Sequence, residues 1–108
     1  MGAFREYSEK YPFRMRSETP EIAIELSLQP WKAFGVDAVI MFSDILTPLP
    51  AMGIDFTIVP GKGPKIINPI ASMADVDAVS VLQDVDAQVP FLGPILKVCL
   101  SPDDVIAF

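Results

Sequence analysis

Acidic side chains are the groups in this sequence best suited to chemistry, because the usual nucleophile and metal partners are missing. The 108 residues include fourteen Asp and Glu, eight Lys and Arg, one cysteine and no histidine. Ser-His or Cys-His catalysis and a zinc site are therefore excluded within these residues. A carboxylate that makes a charge interaction in an apolar setting remains available. Asp44 is the strongest candidate for that role.

Asp44 follows a short apolar run, residues 36–42, which predicts a strand buried on both faces. The carboxyl ends of parallel strands form the edge where α/β proteins place their active sites. The apolar neighbours of Asp44 would lower the local dielectric and strengthen any charge interaction that it makes. The alternative is that Ser43 or Asp44 caps a short helix predicted within residues 47–53, and position alone leaves both interpretations open.

A helix precedes this strand and has clear boundaries. Thr19 suits the N-cap, Pro20 the first helical position and Gly35 the C-terminal stop. Pro30 lies late in the helix and predicts a kink or a tight last turn. Helix, glycine and buried strand in this order are typical of a parallel α/β fold. Residues 1–17 predict a short helix or an irregular segment.

Smaller elements are expected after Asp44. Residues 55–69 predict two extended pieces around a glycine-proline turn. Ser72 and Asp75 have the spacing of a helix cap, for a helix that runs to about Leu82. Residues 84–90 predict a linker. The apolar residues that follow predict another helix, interrupted at Gly93-Pro94.

Charge and composition exclude several classes of partner. The net charge of −6 disfavours nucleic acid and anionic membrane surfaces, since both need a basic face. We find no signal peptide and no apolar run approaching the roughly 18 residues of a membrane span. The lone Cys99 indicates a reducing compartment. Trp31 and the methionines are expected in the core rather than in a ligand site.

Two further features have both a functional and a structural interpretation. The glycines around Lys62 lack the spacing of a phosphate loop and are followed by Pro64, which favours a rigid turn with a solvated lysine. Arg5, Arg14 and Arg16 could bind carboxylates bidentately, but such arginines are more often surface residues.

Sequence motifs then indicate a family. Residues 16–54 closely resemble the uroporphyrinogen decarboxylases of haem and chlorophyll biosynthesis, above all in SLQPWKAF (27–34) and FSDILTPL (42–49). The resemblance continues through VPGKGP (59–64) and NPI (68–70), and more loosely to about Lys97. It implies an α/β fold, namely part of a (β/α)8 TIM barrel, with residues 1–97 as its N-terminal part and 98–108 as a divergent tail.

The family resemblance also implies an activity. Members are carboxy-lyases that remove CO2 from the four acetate groups of uroporphyrinogen III and give coproporphyrinogen III, without a cofactor or metal. They act as homodimers on this small-molecule substrate, in the cytoplasm or the plastid stroma. The aspartate of the family's FSDIL motif is catalytic and binds substrate, and it corresponds to Asp44. Ile40 and Phe42 are expected to line the face of the macrocycle.

Other family features have no counterpart in these residues. The arginine-rich RQAGRY motif would lie before Met1, a further family arginine corresponds to Ser8, and the Tyr, Ser and His of the family's cleft would follow downstream. Family arginines are therefore assigned to no residue here. We expect the isolated chain to be inactive and to fold poorly, because barrel strands need neighbours at both edges.

Two other functions compete with this one. A truncated interaction protein could dock on the full-length enzyme through its apolar strand, without catalysis. Zinc-dependent corrinoid or homocysteine methyltransferases belong to the same superfamily, but the absence of histidine and the single Cys99 give that function no support.

Overall fold

A computed structural model describes residues 2–100 and 106–107. These residues form two compact units, residues 1–44 with 90–108 and residues 45–89. The first unit contains helices α1 (Gly2–Ser8), α2 (Phe13–Glu18), α3 (Pro20–Phe34) and α6 (Leu92–Cys99), with strands β1 (Ala38–Val39) and β4 (Ile106–Ala107). The second contains a 3-10 helix (Pro50–Met52), strands β2 (Phe56–Val59) and β3 (Gly63–Ile66), and helices α4 (Met73–Asp77) and α5 (Val85–Gln88). The described residues thus combine helices and strands, in agreement with the predicted α/β class.

Helix α3 confirms the boundaries predicted from sequence. Pro20 occupies the start of the helix and Glu21 lies in its first turn. Gly35 ends the helix with φ 60°, a left-handed conformation that a side chain would disfavour, and its N–H donates to the carbonyl of Trp31 at 2.8 Å. The helix runs through Pro30 and continues to Phe34.

The core of the first unit forms where α3, β1 and α6 meet. Its buried residues form one cluster, with partly buried aliphatic and aromatic side chains packed against it. The buried members are Ala23, Leu28, Val39, Met41, Ile95 and Cys99. Trp31 is partly buried and packs against this cluster, and Met41 belongs to it, as expected, whereas Met15 and Met73 are exposed.

The strand predicted over residues 36–42 is shorter than expected. Only Ala38 and Val39 are paired, in parallel with Ile106 and Ala107 of β4. Val39 and Met41 are buried, whereas Ile40 between them is 77% exposed. The prediction of burial on both faces is therefore wrong for this unit, because α3 and α6 cover only the side of Val39 and Met41.

Helix α6 corrects a second prediction. The helix runs from Leu92 to Cys99 without an interruption at Gly93-Pro94. Pro94 lies in the first turn, where backbone N–H groups have no intrahelical acceptor, so its missing N–H costs no helical bond.

The second unit is built from short elements joined by turns. Strands β2 and β3 pair antiparallel, with Phe56 opposite Ile66 and Val59 opposite Gly63. The connecting turn places Gly61 at φ 73°, and the Lys62 N–H donates to the Val59 carbonyl at 3.0 Å. This confirms the two extended pieces and the solvated turn, since Lys62 is exposed. The 3-10 helix confirms the helical turn predicted within residues 47–53.

Two helices of this unit differ from the prediction, α4 in its length and α5 because it lies in a predicted linker. The capping box of Ser72 and Asp75 is present, but α4 ends at Asp77 rather than near Leu82. The reason is tertiary, because the Ser80 N–H donates to the Met52 carbonyl at 3.0 Å and so leaves the helical path. The predicted linker contains α5, whose first turn is capped by the Asp84 carboxylate at the Ala87 N–H, 3.1 Å away.

Candidate active site

The candidate site lies in residues 40–44, which leave β1 and end the first stretch of the first unit. Ile40, Phe42 and Asp44 occupy alternate positions along this segment. Ile40 is exposed, while Phe42 and Asp44 are half-buried. The neighbouring positions Val39 and Met41 belong to the core. Alternate side chains of the segment are therefore anchored in the core. The other set, which includes the candidate carboxylate of Asp44, lies outside the core.

Two aromatic rings fix the position of Phe42. Its ring centroid lies 6.4 Å from that of Phe4 in α1 and 6.1 Å from that of Phe13 in α2. The interplanar angles of 51° and 59° are the tilted arrangement that aromatic quadrupoles favour. The two short N-terminal helices thus pack onto the candidate site through these three aromatic rings.

A buried hydroxyl fixes the backbone at the same residue. Ser27 in α3 is buried, and its Oγ donates to the carbonyl of Ala23 at 2.6 Å. The same Oγ accepts a hydrogen bond from the backbone N–H of Phe42 at 2.8 Å. Residues 15 positions apart in the sequence are therefore held together two residues before Asp44.

Cys99 of α6 adjoins this hydroxyl. Burial raises the pKa of the Cys99 thiol, and a hydrogen bond with the Ser27 side chain opposes that rise. The thiol is fully buried and belongs to the core cluster. Raised pKa and burial together make it an inert packing residue rather than a nucleophile.

The alternative role of Ser43 or Asp44 is to cap the 3-10 helix that follows them. That helix has Leu49, not Ser43 or Asp44, at its N-cap position, and the N-cap residue makes no side-chain capping bond. The structure thus places Asp44 five positions before the cap of that helix.

The arginines proposed as carboxylate ligands lie on the helices around the site. Arg14 pairs with Glu18 one turn away at 2.9 Å, and the Nε of Arg16 donates to the Tyr11 carbonyl at 2.9 Å. Arg5 lines an open cleft of about 450 Å³ with Phe4, Ser8 and Pro30. Arg14 and Arg16 are thus held by local partners, as surface arginines commonly are.

Neither of two clefts in the described residues contains Asp44. The cleft next to Arg5 belongs to the first unit, and a second cleft of about 220 Å³ lies within the second unit, between Met52 and Val79. Across residues 2–100 and 106–107 no group of three potential metal ligands comes together. No helix in the described residues has the length and apolarity needed to cross a membrane.

Sequence reasoning missed three residues that position the site. Phe4 and Phe13 lie in residues 1–17, for which the sequence predicts a short helix or an irregular segment, and their contacts with Phe42 are long-range. Ser27 had a usable signal, since it follows Leu26 and precedes Leu28 on a helix whose other buried members are apolar. A buried polar group on such a face is expected to have a hydrogen-bond partner.

Comparisons with known proteins agree with the motifs. Residues 1–102 match the family model described as Uroporphyrinogen decarboxylase (URO-D). A uroporphyrinogen decarboxylase of Picosynechococcus sp. is 57% identical over 97 residues, which are 89% of this chain and 27% of the relative. One of Nostoc punctiforme is 52% identical over 102 residues, 94% of this chain and 29% of the relative. One of Synechocystis sp. is 55% identical over 97 residues, 89% and 27% respectively. The chain thus spans less than a third of the length of these curated relatives.

Proposed function

Because the chain belongs to the uroporphyrinogen decarboxylase family, we propose that it supplies part of the active site of an enzyme that decarboxylates uroporphyrinogen III to coproporphyrinogen III. Asp44 is the catalytic and substrate-binding carboxylate in this proposal. The observation that carries it is the FSDIL motif of residues 42–46, inside a segment that matches the family model from residue 1 to residue 102.

The chemistry explains why a carboxylate is required. Protonation of a pyrrole ring makes it cationic, so that it accepts the electron pair of the breaking bond between the acetate methylene and its carboxyl carbon. CO2 leaves, the methylene carbon takes up a proton, and the ring proton is lost, so that each acetate becomes a methyl group. A fixed negative charge beside the ring stabilises the cation as it develops. Asp44 also has the acceptor oxygens to bind the pyrrole N–H groups.

The surroundings of Asp44 support this role. Ile40 and Phe42 present apolar surface at alternate positions before the carboxylate, which suits the face of a macrocycle. The segment also leaves a strand that pairs in parallel, the geometry whose carboxyl edge commonly carries active sites. The exposed side chain of Ile40 gives apolar area that a bound ring would cover.

Family membership supports five further proposals about the complete enzyme. The fold is a (β/α)8 barrel, to which the unit of α3, β1 and α6 contributes. The enzyme needs no cofactor, acts as a homodimer, and contributes to haem and chlorophyll biosynthesis. The cytoplasm, or the plastid stroma of a photosynthetic eukaryote, is its proposed location.

A chimera tests the role of Asp44. The 97-residue segment of the Picosynechococcus relative that matches this chain is replaced by the corresponding residues of the chain. We expect the chimera to convert uroporphyrinogen III to coproporphyrinogen III. Asp44→Asn and Asp44→Gly should each lower kcat by about 10²–10³, the usual effect of removing one electrostatic partner of the transition state.

The matched control is Asp37→Asn, which removes an exposed carboxylate just before β1 and should leave turnover unchanged. Product is measured by chromatography of the oxidised porphyrins after a timed reaction. An inactive chimera, or an Asp44→Asn variant that keeps more than about a tenth of the turnover, would contradict the proposal.

A further inference from the structure

We propose that Ser27 is a positioning residue for Asp44, an inference that rests on the proposed function of that carboxylate. The buried hydroxyl of Ser27 fixes the backbone of Phe42 and so sets the path of the chain that presents Asp44. Ser27 touches no reacting atom in this proposal and acts only through the segment that it holds.

The hydroxyl is a direct link between α3 and the candidate segment, and it also has a hydrogen bond with the Cys99 thiol of α6. Its proton goes to the Ala23 carbonyl at 2.6 Å, and its oxygen accepts the Phe42 N–H at 2.8 Å. Both are good distances for such bonds. Ser27 is only 4% exposed, so water has little access to replace the hydroxyl as a partner.

The segment needs this support because the strand ladder ends early. The last paired residue of β1 is Val39, opposite Ala107. Phe42 lies three residues beyond that pair, and a side chain rather than a neighbouring strand accepts its N–H. Burial of Met41 and the rings around Phe42 fix side chains, whereas the Ser27 hydroxyl fixes the backbone itself.

A hydroxyl is the group that meets both requirements. Serine and threonine donate one hydrogen bond and accept others, and threonine in a helix also places its Oγ1 against the carbonyl four residues earlier. Alanine and valine offer no acceptor to the Phe42 N–H. Threonine and valine have nearly the same shape, so this pair separates the hydroxyl from the volume of the side chain.

The experiment compares Ser27→Ala, Ser27→Val and Ser27→Thr in the chimera described above. Small displacements of a catalytic group cost up to about 10²-fold in rate. We expect kcat to fall about tenfold or more in the Ala and Val variants, with a smaller change in KM, since Asp44 binds the substrate but is matched best to the cation that develops in the transition state. Exchange of the Phe42 amide proton with D2O should accelerate in the same two variants, and Ser27→Thr should restore both quantities.

Ser17→Ala is the matched control. Ser17 is as buried as Ser27, at 4% exposed, but its hydroxyl donates to the Arg14 carbonyl in its own helix at 3.2 Å. That variant should change neither kcat nor the exchange of the Phe42 amide.

Three results would overturn the inference. Unchanged kcat in Ser27→Ala and Ser27→Val would remove any positioning role, and so would a lower kcat without faster exchange at Phe42. Failure of both variants to fold, with Ser27→Thr folded, would make Ser27 a folding determinant instead. The Asp44→Asn variant keeps the two proposals apart, because its full activity would refute the role of Asp44, whereas its inactivity beside a fully active Ser27→Val would refute only the role of Ser27.

Discussion

Each of the two compact units of this protein is stabilised internally, and the two use different interactions. The first unit has a contiguous core that contains the buried side chains of Val39, Ile95 and Cys99, and its Leu26 is also fully buried. In the second unit, residues 45–89, which are described throughout, only Phe56 and Val89 are buried. That unit depends instead on a hairpin, on three glycines with positive φ and on two side-chain helix caps.

This difference explains why the segment that contains Asp44 is held in a fixed position. Asp44 belongs to the unit with the packed core, and side chains from three of its helices converge on Phe42 two residues earlier. Close packing makes such a segment hard to displace, since a cavity or a shifted contact costs free energy directly. Backbone turns and caps give a unit its shape, but they add little buried apolar area.

The largest effect is expected from a cavity in the core of the first unit. Ile95 is 0% exposed, so Ile95→Ala should lower the free energy of unfolding by about 2–5 kcal/mol. Val98→Ala on the same helix, where the side chain is 41% exposed, is the control and should stay within about 0.5 kcal/mol. Urea unfolding of the chimera measures both. Equal effects of the two variants would show that the core does not carry the stability of this unit.

Two glycines separate the effect of backbone conformation on stability from the effect of packing. Gly35 has φ 60° and Gly93 lies in α6, and an added Cβ would meet nothing within 4 Å at either position. Gly35→Ala should therefore destabilise by about 1–2 kcal/mol through conformation alone. Gly93→Ala should be neutral or stabilising by up to about 1 kcal/mol. Equal urea midpoints for the two variants would show that the left-handed conformation at Gly35 is not needed.

The helix caps of the second unit should show an intermediate effect. Ser72→Ala removes the acceptor of the Asp75 N–H, 3.3 Å away, and should cost about 1 kcal/mol. Ser72→Thr keeps a hydroxyl and serves as the control. Amide exchange in α4 measures the change, which should stay confined to the second unit. An equal acceleration at Ile95 would contradict the distinction between the units.

The smallest effects are expected from pH, and they have opposite signs in the two units. The N–H of Ala71, together with the hydroxyl and N–H of Ser72, holds the pKa of Asp75 below its ordinary value of 3.8. Its contribution to stability is therefore present above pH 3.8 and is lost as the pH falls through the lowered value. Amide exchange in α4 should accelerate in acid, and Asp75→Asn should abolish that dependence.

In the first unit, stability is expected to fall at alkaline pH. Burial raises the pKa of Cys99 above its ordinary value of 9.0, so the folded unit favours the neutral thiol. That contribution is present below pH 9.0 and is lost as the pH rises through the raised value. Labelling of Cys99 by iodoacetamide should be slow at neutral pH and rise with the pH. Labelling as fast as that of a free thiol would show that the core is open.

Local signals in the sequence predicted the elements that depend on local physics. Thr19, Pro20 and Gly35 marked the ends of α3 because caps and a positive φ are properties of single positions. The hairpin and the start of α4 followed in the same way from Gly61 and from the pair of Ser72 and Asp75. The motif around Asp44 also indicated the correct family, because a run of consecutive residue types can be recognised without knowing how the chain folds.

Only the tertiary structure decided which faces are covered and which distant groups meet. The apolar run at 36–42 predicted burial on both sides, yet Ile40 is exposed, because periodicity records hydrophobicity and not the number of layers that pack on a strand. The bond from the Phe42 N–H to the Ser27 hydroxyl joins two motifs that the sequence presents separately. Hydrogen bonds and ring contacts between distant residues depend on how helices pack, and no local pattern specifies that packing.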